Sequence, residues 1–224
     1  MSIKVGVLLS GCGVFDGSEI HEAVLTLLSL DRAGATTVCM APDIDQLHVI
    51  NHLNQETMEQ KRNVLVESAR IARGEIQNLK DVSVSDLDAL IIPGGFGAAK
   101  NLSDFAVKGA DASVHPEVER IIKNMASMGK PVGALCIAPA TLTKALCQNS
   151  PQVTIGNDPD TASAIETMGG KHVACTVDMI HIDEKNRLVT TPAYMLGPGI
   201  KDIAVGIEKL VNKVMDMIKG IRRK

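Results

Sequence analysis

The stretch GALCIAPA, residues 133–140, carries a cysteine between a strand-like run and a helix-like one. A side chain on such an elbow is forced out of the sheet, and its backbone is often strained. The start of the following helix offers unpaired N–H groups and a partial positive charge. Both favour a thiolate, the nucleophilic form of cysteine. Cys136 is therefore the candidate nucleophile, and its alternative is a small buried apolar residue. A second feature is PGGFG, residues 93–97. Glycines that follow a strand let backbone N–H groups face a cavity and stabilise an oxyanion. Otherwise they form a plain tight turn. The third is DGSEIHE, residues 16–22. Glu19 and Glu22 lie three apart and share a face in a first helical turn, where acids suit the dipole. Apolar neighbours around Glu22 would raise its pKa and fit it for proton transfer.

These pieces need a frame that brings them together. IKVGVLL (3–9), ATTVCMAP (35–42), LDALIIPGG (87–95) and KPVGALC (130–136) read as strands, and QVTIG, DMIHID and RLVTTP as further ones. Near-continuous apolar runs suit strands buried on both faces. SEIHEAVLTLLSLDRAG (18–34), HPEVERIIKNMASMG (115–129), IAPATLTKALC and residues 200–218 read as helices. The first has a Ser start and a Gly stop, and the second has Pro116 in its first turn. Strands alternating with helices predict one α/β domain over residues 1–224 with a mostly parallel sheet. Residues 51–86 are polar, partly helical over RNVLVESARIARG and longer than an ordinary crossover, which predicts an inserted excursion or lid. Ligands of open α/β sheets sit beyond the C-terminal strand ends, where all three motifs fall.

Composition bounds the partners. The chain has 224 residues, 45% hydrophobic, with a net charge of −3. Nothing in that balance calls for nucleic acid. No run approaches a membrane span, and the first apolar run, VGVLL, is short for a signal sequence. The short basic tail IKGIRRK suits a helix C-terminus. Five scattered cysteines without a CxxC pair imply reduced thiols and a cytoplasmic protein. No metal or cofactor is expected.

IIPGGFGAAKNL, GALCIAPATL and DGSEIHEAV, in this order and spacing, resemble the PfpI superfamily, which is similar to class-I glutamine amidotransferase domains. SGCGVFDGSEIHEAVLTLLSLDRAGA, GNDPDTASAIETMGG and LVTTPAYMLGPGIKDIAVGIEKLV resemble its enhancing-lycopene-biosynthesis branch, linked by name to isoprenoid supply. The likeness runs over nearly the whole chain. It implies a flavodoxin-like three-layer sandwich and a homodimer. It also implies a glutathione-independent glyoxalase-like activity on small dicarbonyls such as glyoxal. Carried onto this chain, the nucleophile is Cys136, the acid–base group Glu22, and Glu19 the accompanying acid. Gly95 and Ile137 supply the oxyanion donors. Gly94, Phe96, Lys100, Asn101, His115 and Asp158 are candidate substrate contacts. Lys100 and Asn101 could instead cap a short helix, and His115 could cap the helix it precedes. In NDPD (157–160), Asp160 is the expected N-cap.

Two departures bear on function. Protease-like members carry histidine directly after the cysteine, where this chain has Ile137. The later superfamily histidine falls on Gly156 or Asn157. A redox sensor built on Cys136, an amidase-type hydrolase and a binding protein with a relic site are the alternatives to the glyoxalase reading.

Overall fold

The computed structural model describes residues 2–222, so Arg223 and Lys224 of the basic tail lie outside the described residues. The chain runs β1 (Lys4–Leu8), α1 (Ile20–Arg32), β2 (Thr36–Ala41), α2 (Val64–Ile71), β3 (Ile76–Asn78) and β4 (Ala89–Ile92). It continues with α3 (Phe96–Lys100), α4 (Phe105–Lys108), α5 (Pro116–Ser127), β5 (Val132–Leu135) and α6 (Ala138–Ala145). Then come β6 (Gln152–Val153), α7 (Pro159–Thr167), β7 (Lys171–His172), β8 (His181–Asp183), β9 (Leu188–Thr191) and α8 (Ile200–Arg222).

The main sheet has the order β3-β2-β1-β4-β5-β9-β8 and is parallel except for β8, which pairs antiparallel with β9. This is the flavodoxin-like, three-layer α/β architecture expected from the sequence. Alternation along buried strands explains the layers, because successive side chains point to opposite faces. Val5, Val7, Ile91, Leu135 and Val189 join Ala23, Leu30, Ile203, Ile207 and Leu210 in one core, under α1 and α8. Leu90, Ile92, Val132, Ala134 and Leu188 join Val118, Ile121, Ile122 and Leu142 in the other, under α5 and α6. Each central strand is thus dry on both sides, and its polar ends are left for the loops.

Residues 51–86 differ from the expected excursion. Residues 64–78 form α2 and β3, an ordinary crossover that adds the edge strand beside β2. The irregular segment is residues 42–63, which folds onto the loop after β1. Ile50 N–H donates to Asp16 Oδ2 at 2.7 Å, and Phe15 N–H to His52 Nε2 at 3.3 Å. This segment buttresses the loop from behind. The expected Ser start of α1 also shifts: Glu19 is the N-cap, its carboxylate accepting from Glu22 N–H at 2.7 Å. Ser18 Oγ turns inward instead and accepts from Ser10 N–H.

Candidate active site

The C-terminal ends of β1, β4, β5 and β9 converge on Cys136. The cysteine follows β5 with φ +58°, a left-handed conformation that a non-glycine residue holds only under constraint. Its N–H donates to Thr191 O at 3.0 Å, which ties the elbow to the end of β9. The backbone N–H groups of Gly95 and Ile137 hydrogen-bond the sulfur. These are the two donors expected for an oxyanion, and they come from the loop after β4 and the start of α6.

Glu22 is fully buried on the first turn of α1. Gly94 N–H donates to Oε2 at 2.9 Å and Tyr194 N–H to Oε1 at 3.1 Å. The carboxyl also hydrogen-bonds the Cys136 thiol. Burial is the main cause that pushes the Glu22 pKa up from 4.5 to about 7, and Glu19 adds to it; the two N–H donors and the thiol oppose the rise. Cys136 is pushed well above its ordinary value, first by burial and then by the Glu22 charge. This corrects the expectation of a thiolate formed at a helix end. Desolvation outweighs the N–H groups here, so the thiol keeps its proton and Glu22 stands ready to take it.

Gly94 permits this closeness. A Cβ there would overlap Cys136 Cβ and come within 2.7 Å of Glu22 Oε2. Gly95 adopts φ +90°, and a Cβ on it would strike the backbone of residues 17–19. The glycines of PGGFG are therefore required by packing at the reacting atoms, as well as by the turn.

Cys136 opens into a cavity of about 340 Å³ lined by Val14, Glu19, Gly95, Phe96, Ile137, Asp158, Thr161, Tyr194 and Met195. Of the residues singled out from sequence, Glu19, Gly95, Phe96, Ile137 and Asp158 border it. Asp158 is also the N-cap of α7, accepting from Thr161 N–H at 2.8 Å, so the cap is Asp158 and not Asp160. Three candidates are placed elsewhere. Lys100 Nζ donates to Phe15 O at 3.1 Å and sits 5.0 Å over the Phe96 ring. Buried Asn101 donates to Ser10 O and Asp16 O and accepts from Leu47 N–H, pinning three loops. His115 caps α5, accepting from Glu117 N–H. Each of the three engages a backbone group, and none of them lines the Cys136 cavity. Among the described residues no histidine lines the cavity. None of the described residues forms a group of three or more His, Cys, Asp or Glu fit to hold a metal. No helix among them is long and apolar enough to cross a membrane. The five cysteines are free thiols.

Sequence reasoning missed Val14, Thr161, Met195 and above all Tyr194. The last lies just beyond the strand-like run RLVTTP, in AYMLG, whose residue types carried no chemical motif. The only tyrosine in the chain, just past a strand's C-terminal end, was the available signal.

This elbow cysteine, its paired glutamate and the parallel sheet that holds them define an α/β protein of the class-I amidotransferase-like type. Residues 12–192 match the DJ-1/PfpI family, and the chain belongs to that family. It is 47% identical over 224 residues to the Homo sapiens glutamine amidotransferase-like class 1 domain-containing protein 3, mitochondrial, covering 96% of this chain and 83% of that one. It is 46% identical to the Rattus norvegicus ES1 protein homolog, mitochondrial, with 96% and 84% covered. The crystal structure of an Ehrlichia chaffeensis isoprenoid biosynthesis protein with amidotransferase-like domain superposes with a TM-score of 0.91. The two chains share 37% identity, and the match covers 97% of this chain and 100% of that one. The expectation of a cytoplasmic protein is overturned by these relatives, since the human and rat proteins are named mitochondrial. Reduced thiols are common to both compartments, so cysteine usage could not separate them.

Proposed function

We propose that this chain is a glutathione-independent glyoxalase-like enzyme that converts small neutral dicarbonyls, glyoxal and methylglyoxal, to hydroxy acids. The observation that carries the reading is the buried Glu22 carboxyl, hydrogen-bonded to the Cys136 thiol at the wall of a small cavity. Glu22 takes the thiol proton as sulfur bonds to the aldehyde carbon, then gives it to the new oxyanion beside the Gly95 and Ile137 N–H groups. A hemithioacetal results. The Glu22 carboxylate next removes the hydrogen from the sulfur-bearing carbon and returns it to the neighbouring carbon, through an enediol. The product is a thioester. Water adds to the acyl carbon while Glu22 accepts its proton. The carbon–sulfur bond breaks, Glu22 reprotonates the sulfur, and the hydroxy acid leaves. Glyoxal plus water gives glycolic acid with no net change in the protein. A carboxyl with a pKa near 7 suits a group that must accept and release a proton in turn.

The cavity favours uncharged substrates. Its charged side chains, Glu19 and Asp158, are both acidic, and among the described residues no Lys or Arg lines it to hold a carboxylate or phosphate. The elevated thiol pKa counts against a sensor that depends on a standing thiolate at neutral pH. The lack of a lining histidine counts against amidase chemistry. The test is hydroxy-acid formation from glyoxal and methylglyoxal without glutathione. Wild type should turn over continuously, with Cys136→Ala and Glu22→Gln both losing at least about 10²-fold. A wild type no faster than Cys136→Ala would exclude the glyoxalase reading.

A further inference from the structure

The proposed reaction moves two kinds of hydrogen, and Glu22 carries one of them. It transfers the hydrogen bound to the first carbon onto the second. The two oxygens must exchange a hydrogen as well. The distal carbonyl oxygen gains one as the enediol forms, and the hydroxyl on the sulfur-bearing carbon loses one as the thioester forms. The Gly95 and Ile137 N–H groups stabilise an oxyanion but keep their protons. Two of the protic side chains facing the cavity are engaged as caps: Glu19 accepts from Glu22 N–H, and Asp158 from Thr161 N–H.

Tyr194 is placed differently. It borders the cavity that Cys136 borders, and its main-chain N–H holds the Glu22 carboxyl at 3.1 Å, so its position is fixed relative to the proton carrier. Its hydroxyl meets Nδ1 of His21 at 2.7 Å. His21 sits on the first turn of α1 between Glu19 and Glu22, exposed to solvent. Burial together with the Glu19 and Glu22 charges raises the Tyr194 pKa, which keeps the phenol neutral. A phenol offers one donor and two acceptor sites. In the tautomer that carries the hydrogen on Nδ1, His21 donates to one lone pair, and the second lone pair and the O–H are left for substrate.

We propose that Tyr194 is the second catalytic proton carrier and that His21 is its positioning residue; this rests on the glyoxalase reading. The phenol gives its hydrogen to the distal oxygen and takes the hydrogen of the hydroxyl on the sulfur-bearing carbon. It ends as it began, and no charge is left on either group. Glu22 and Tyr194 thus divide the isomerisation into a carbon-to-carbon and an oxygen-to-oxygen transfer. The relay requires a 1,2-dicarbonyl, since the phenol needs two adjacent oxygens to bridge.

The experiment measures kcat and KM for glyoxal in wild type, Tyr194→Phe, His21→Leu and His21→Asn, with the alkylation rate of Cys136 by iodoacetamide as a parallel readout. Tyr194→Phe keeps the main-chain N–H that holds Glu22. Its kcat should fall about 10²-fold, with KM and alkylation within about twofold of wild type. His21→Leu should lose about tenfold in kcat. His21→Asn, whose amide nitrogen reaches the place of Nδ1, should recover most of that loss. A Tyr194→Phe kcat within about threefold of an active wild type overturns the relay and leaves the glyoxalase reading standing. A parallel fall in alkylation also overturns it, because the loss would then be structural. A wild type without turnover removes the glyoxalase reading and the relay with it.

Discussion

Replacing Glu22 by Gln should change how stability depends on pH, by an amount the structure fixes. The Glu22 pKa stands at about 7 in the folded chain against an ordinary 4.5. The folded state therefore holds a proton on this carboxyl that the unfolded state releases between those values. Stability falls as pH rises wherever the native state binds more protons. Here the loss begins near the unfolded value, grows through the window up to about 7, and is constant above it. Integrated between about pH 4.5 and about pH 8.5, the difference of some 2.5 pK units amounts to about 3 kcal/mol. Glu22→Gln has no such proton to lose. Its side-chain nitrogen also faces an N–H donor, from Gly94 or Tyr194, which costs roughly 1–3 kcal/mol at every pH. That constant offset cancels in the slope. Urea unfolding across this range should show wild type losing about 3 kcal/mol relative to the variant. In thermal midpoints this is roughly 6–12 °C for a chain of this size. Parallel stability curves would refute the claim that burial raises the Glu22 pKa to about 7, and with it the proton carrier in the proposed mechanism.

Cys136 should react with iodoacetamide slowly at neutral pH, and Glu22→Gln should lower the pH at which it reacts, because the Glu22 charge is one of the causes holding the thiol up; an unchanged or higher midpoint contradicts this. Gly94→Ala should abolish turnover and alkylation together, since its Cβ would collide with Cys136 and Glu22; full activity in that variant would show that the loop can retreat. Asn101→Leu removes bonds to Ser10, Asp16 and Leu47 and should cost about 3 kcal/mol in urea unfolding, leaving buried carbonyls unpaired. The homodimer expected from resemblance has a candidate face in exposed Ile20, Val24 and Leu28 on α1, and Val24→Glu should then delay elution on size exclusion; identical elution of the two excludes that face.

The juxtaposition of Cys136 and Glu22 and the architecture were legible because both rest on local pattern. Apolar runs with turn residues after them marked β1, β4 and β5, and the motifs that follow those strands had to share one end of the sheet. Glu22 was legible from its apolar neighbours. The thiol's protonation was not. The helix terminus beside Cys136 is local, whereas the burial and the Glu22 charge that overrule it come from segments distant in the chain. Lys100 and Asn101 illustrate the same limit. Their types suit a pocket, yet they satisfy backbone groups that only the folded loops bring near, whereas His115 takes the local cap that its place before Pro116 also allowed. β3 was overlooked because Ile76–Asn78 is a three-residue edge strand, too short to show a period.

The Glu22 carboxyl is clamped by Gly94 on one side and by Tyr194 on the other. A growing chain emerges from its N-terminus, and domains generally fold as units. Glu22, Gly94 and Cys136 leave the ribosome well before residue 194 does. Until then the clamp has one jaw, and Cys136 lacks the Thr191 carbonyl that tethers its elbow. The clamp on Glu22 and the tether on Cys136 therefore both close only once residues 191–194 are in place, so the geometry around the thiol depends on a segment more than fifty residues further along the chain.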